Sequence, residues 1–140
     1  MTHPGAWLTI LVIGVLIGLP VEILRRRRLR IYWSRACAGR EWREVFPDAN
    51  KDEIGKFLQL FVDAFAFRGS RKLQFRPSDK FLDIYRACYP VKGWPDSLEI
   101  ESFMLAVEEA YHIDLNRDWN PETTLGKVFS MTLKPDQSAG

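Results

Sequence analysis

Nineteen consecutive residues, Ala6 to Leu24 (AWLTILVIGVLIGLPVEIL), carry a single charge, Glu22, and run directly into the basic cluster RRRRLR, Arg25 to Arg30. As a helix this run spans about 28 Å at 1.5 Å per residue, close to one hydrocarbon core. Arginine clusters stay on the cytoplasmic side of a membrane, so the N-terminus is expected outside and the rest of the chain inside. A cleaved signal peptide is the competing reading, but it needs positive charge before its apolar core. Here Met1 to Ala6 holds no lysine or arginine, and the charge follows the run. A lipoprotein reading through Cys37 is weak, because SRAC has a charge where an apolar residue is wanted. Glu22 lies three and four residues before Arg25 and Arg26, a spacing that predicts local ion pairs rather than an ion-pathway residue.

The chain has 140 residues, room for one small domain beside that anchor. Its apolar and charged shares are ordinary, which excludes wholesale disorder. The expected organisation is a transmembrane anchor over 1–24, a basic juxtamembrane segment over 25–45, a helical domain over 46–133 and a disordered tail over 134–140. In the basic segment, Tyr32, Trp33 and Trp42 either sit at the membrane interface, with the arginines on anionic membrane lipids, or belong to a solvated linker. Nucleic-acid binding is set aside, since a basic patch this close to a bilayer is better explained by lipid. Cys37 and Cys88, in a reducing compartment, are expected to form no disulfide, and Cys88 falls on an apolar stripe.

Four helices are predicted in the domain. Pro47 and Asp48 start the first, whose apolar face is Ile54, Phe57, Leu58, Phe61 and Phe65. RGSRKLQFRP follows as a basic loop. Ser78 or Asp79 caps a short helix with Phe81, Ile84, Tyr85 and Cys88 as its stripe, stopped by Pro90. After the turn VKGWP comes a helix with Ile100, Phe103, Met104, Val107 and Tyr111 on its apolar face, and TTLGKVF forms a last short helix with a threonine cap. No segment alternates well enough to demand a strand. The predicted fold class is therefore all-α, a small helical bundle with an N-terminal transmembrane helix.

The third of these helices is unusual in charge. From Asp96 to Asp114 it carries six acids (Asp96, Glu99, Glu101, Glu108, Glu109, Asp114) and no lysine or arginine, in a chain of formal charge +2, so the remainder carries +8. Its opening, DSLE, reads as a capping box, in which Asp96 is expected to accept from the Glu99 amide and Glu99 to reach back, worth about 1 kcal/mol without any function. With Asp96 as the cap, Ser97 is expected to be the first helical residue. A phosphate on its hydroxyl would meet free amides and a favourable dipole.

DSLEIESFMLAVEEAYHIDL resembles the second helix of acyl carrier proteins. Asp96, Ser97 and Leu98 match the attachment motif. Glu108, Glu109 and Tyr111 match the acid-acid-x-aromatic end, and Thr123-Thr124-Leu125 resembles the start of the family's last helix. The resemblance covers roughly Pro47 to Thr132. It implies an acyl-carrier-protein-like bundle in which Ser97 carries 4′-phosphopantetheine, installed from coenzyme A by a phosphopantetheinyl transferase, with acyl groups held as thioesters on the arm. It also implies that Glu99, Glu101, Glu108 and Glu109 dock on basic patches of acyl-transfer enzymes. Such a carrier performs no catalysis and acts by tethering. The chain departs from the family in the extra FLDIYRACYPVKG segment, in Trp94-Pro95 before the serine, and in Glu101 where an apolar residue is usual. A carrier-like fold used only as a binding module, with Ser97 a structural residue, stays open. An enzyme is not expected: neither His3 nor His112 sits in a nucleophile, paired-carboxylate or phosphate-loop pattern.

Overall fold

The computed structural model describes residues 3–89, 98–116, 119–120 and 122–133. Among them there are six α-helices and a 3-10 turn, with no strand beyond one isolated bridge between Lys80 and Thr124. The helices are α1 (Pro4–Trp33), α2 (Gly39–Val45), α3 (Lys51–Ala64), α4 (Phe81–Cys88), α5 (Leu98–Tyr111) and α6 (Leu125–Leu133), and the 3-10 turn is Gly69–Gln74. The tail expected to be disordered, the stop at Pro90 and the VKGWP turn lie outside the described residues.

α1 is long and apolar enough to cross a membrane, and its apolar window is wholly unburied by the rest of the chain. Glu22 pairs with Arg25 at 3.6 Å and with Arg26 at 3.0 Å, as the spacing predicts. The helix does not stop at the arginine cluster but continues through it to Trp33. There it turns Leu29 and Tyr32 into the domain core, and α2 adds Trp42. This corrects the interfacial placement of Tyr32 and Trp42. Both rings are buried, because the domain offers them aromatic partners that a headgroup layer lacks: Tyr32 lies 5.5 Å from Phe75, and Trp42 lies 5.6 Å from Phe129. Trp42 also donates from Nε1 to the Phe75 carbonyl at 2.8 Å. Trp33, half-buried, packs edge-on against Phe67 and Phe75.

α3 is the centre of the bundle. Its start lies past Pro47-Asp48, at Asn50, whose side chain accepts from the Glu53 amide at 2.8 Å while Glu53 returns a bond to the Asn50 amide at 3.0 Å. Asn50 wins over Asp48 because Glu53 stands three residues on, closing a reciprocal capping box. All five expected core residues of this helix are buried, joined by Val62. Phe61 alone touches the rings of Phe65, Phe67, Phe75, Phe81 and Phe103, and so ties the 3-10 turn, α4 and α5 together. Phe57 does the same for Trp42, Phe103 and Phe129. The expected basic loop after α3 is largely the 3-10 turn, and its Phe75 is fully buried.

α4 begins without a side-chain cap. Asp79, expected as a cap, instead accepts from the Arg76 amide and from Arg35. α6 is capped by Thr124, whose hydroxyl accepts from the Lys127 amide at 3.1 Å. Its Gly126 is required by a close approach: a Cβ there would stand 2.8 Å from the Pro77 carbonyl oxygen, to which the Gly126 amide donates. These backbone contacts pin α6 beside the entry to α4.

Candidate functional site

α5 leans on α3 through Phe103 and Val107, both fully buried, and through the partly buried Ile100, Met104 and Tyr111. The apolar face read from the sequence is thus the packed face. Asp96 and Ser97 lie outside the described residues, so the capping box and the proposed attachment site are not among the observed contacts. Leu98 opens the helix and is 56% exposed.

The four acids expected to meet a partner differ in burial. Glu99 is half-buried and accepts a hydrogen bond from the Tyr89 hydroxyl, which fastens the start of α5 to the end of α4. Burial, and then this carboxylate, push the Tyr89 phenol well above its ordinary value. The second Glu99 oxygen, Oε2, is buried and has no hydrogen-bond partner among the described residues. Glu108 is also occupied: its Oε1 accepts from the Leu115 amide at 3.0 Å and closes the turn after α5. That turn needs His112 at φ 55°, a left-handed position, so His112 serves as the helix stop and is exposed there. Glu101 and Glu109 are exposed.

Leu98, Glu101, Leu105 and Glu109 recur at spacings of three and four, which places them on one side of α5. All four are exposed, Leu105 at 66%. Sequence reasoning singled out the acids and passed over Leu105. Its spacing from Leu98 was visible, but which leucines the bundle would leave uncovered was not. The result is a mixed acidic and apolar stripe that starts one residue after Ser97. An exposed leucine pair flanked by carboxylates suits a partner with a basic rim and an apolar depression.

No group of three or more metal-ligating side chains occurs among the described residues. Cys37 is a free, exposed thiol and Cys88 a free, buried one. No protein-family model, curated protein or solved structure matches the chain.

Proposed function

We propose that the chain is a membrane-tethered acyl carrier, with 4′-phosphopantetheine attached to Ser97 and acyl groups held on that arm as thioesters. The observation that supports it best is the exposed stripe Leu98, Glu101, Leu105 and Glu109, which begins beside Ser97. A transferase that must reach this serine finds a continuous docking face along the same helix. The start of α5 at Leu98 also suits a phosphate on the preceding residue, where free amides and the helix dipole favour negative charge. No step of acyl chemistry falls to the carrier; α5 presents the arm and the bundle holds α5 in place. In this reading α1 spans the membrane with the bundle in the cytoplasm, on the side of the arginines. A reporter fused after Gly140 that works only outside the cytoplasm would refute the orientation.

The alternative is an unmodified binding module using the same stripe. The deciding experiment is the mass of the purified protein after incubation with a broad-specificity phosphopantetheinyl transferase and coenzyme A. The carrier gains one arm and a reactive thiol. Ser97→Ala abolishes both, and circular dichroism and the thermal midpoint of the variant check that the fold is kept. Glu109→Lys slows the loading without altering thermal stability, because that carboxylate faces solvent. A wild-type protein that never gains mass, in a preparation that is folded, excludes the carrier and leaves the binding module.

A further inference from the structure

A cavity of about 800 Å³ opens between α2, α3 and the 3-10 turn. Its volume lies within the range of small-molecule sites. Gly55, Leu60 and Leu73 form an apolar floor. Around it stand Arg40, Arg43, Lys51, Lys56 and Lys72, against one lining acid among the described residues, Asp52. Arg40 is paired with Glu44 at 3.4 Å and the Lys56 ammonium lies over the Tyr111 ring at 5.7 Å, so the excess of positive charge rests chiefly on Arg43, Lys51 and Lys72. An apolar floor under a cationic rim suits an anionic amphiphile.

Gly55 sharpens this. A glycine inside a helix is unfavourable relative to alanine. Packing does not demand it here: among the described residues only Lys72 Nζ, at 3.9 Å, lies within 4 Å of the place a Cβ would take. Its missing side chain leaves the floor open. The cavity is also fastened to the anchor. Gln74 donates to the Trp33 carbonyl at 3.1 Å, and the Ala38 amide donates to the Leu73 carbonyl at 2.7 Å. From Leu24 to Trp33 is about 14 Å of helix at 1.5 Å per residue, so the cavity wall bonded at Trp33 is joined to the apolar span by one continuous, short length of helix.

We propose that this cavity binds one anionic membrane lipid, with an acyl chain along Gly55, Leu60 and Leu73 and its phosphate on the lysine and arginine rim. This is independent of Ser97 and of any carrier role.

The test uses the full chain in a nonionic detergent, examined by native mass spectrometry with dioleoyl phosphatidylglycerol, dioleoyl phosphatidylcholine of matched chains, or glycerol 3-phosphate. One phosphatidylglycerol adduct is expected to persist, at least about tenfold tighter than phosphatidylcholine, and glycerol 3-phosphate should give none. Gly55→Leu fills the floor and should remove the adduct while the helical circular dichroism and thermal midpoint are kept. Lys72→Glu should weaken it without filling the cavity, and serves as the second variant should Gly55→Leu misfold. Lipids that merely coat α1 would survive both changes. Equal retention of the two lipids, no adduct at all, retention in a folded Gly55→Leu, a phosphate-only adduct, or a second copy of the chain found seated in the cavity would each overturn the proposal.

Discussion

Nη1 of Arg35 lies 2.9 Å from Oδ1 and 2.7 Å from Oδ2 of Asp79. This ties the segment just after α1 to the turn that leads into α4. Asp79 is 8% exposed and also accepts from the Arg76 amide, so one buried carboxylate serves two chain segments. The long apolar helix is therefore more than a leash; its inner end is bonded into the bundle. Removing one partner of such a pair leaves the other charge uncompensated. Asp79→Ala is expected to cost about 3–5 kcal/mol. In urea unfolding of the solubilised chain, the double change with Arg35→Ala should cost clearly less than the sum of the two single changes.

The core does not begin at residue 46. Leu29, Tyr32 and Trp42 are buried with the residues of α3 and α6. A soluble fragment starting at Arg28 is expected to unfold cooperatively, and one starting at Phe46 to lack a sharp transition. Within the longer fragment, Trp42→Ala and Phe61→Ala should each cost about 3–5 kcal/mol. A fragment from Phe46 as stable as the longer one would show that the inner end of α1 contributes nothing to the core.

Ala66 ends α3 with φ 55°, a left-handed position that glycine adopts without strain. It is exposed and its side chain serves no packing role. Ala66→Gly should raise stability by about 0.5–1 kcal/mol, the relief of strain outweighing the added freedom of the unfolded chain. Thermal unfolding reads this directly.

Burial pushes the Cys88 thiol from its ordinary 9.0 up to about 11, against the opposing pull of Arg25. Below pH 9 both folded and unfolded chains keep the proton, and the stabilisation is fully present. Between pH 9 and 11 the unfolded chain ionises while the folded one does not, so stability falls as pH rises through that window. The urea midpoint should drop between pH 8.5 and 10.5 in the wild type and drop less in Cys88→Ala. Maleimide at neutral pH should label Cys37 and spare Cys88 until the chain unfolds.

The apolar faces of α3, α4 and α5 were legible because helical periodicity is written locally, at three- and four-residue spacing. So were the threonine cap of α6 and the pairing of Glu22, each of which needs only residues a turn away. The long apolar run, with arginines on one side only, determined that a helix long enough for a bilayer stands at the N-terminal end. Tertiary structure decided the rest, for one physical reason: those interactions join residues far apart in sequence. Tyr32 and Trp42 became core because Phe75 and Phe129 were brought to them. Asp79 left the cap of α4 because the segment after α1 brought Arg35 to it. Glu99 and Glu108 are half-buried and hold the Tyr89 hydroxyl and the Leu115 amide, while Leu98, Glu101, Leu105 and Glu109 share the exposed side of α5. The sequence determined that α5 is acidic; which of its acids face outward was decided only when the bundle closed around it.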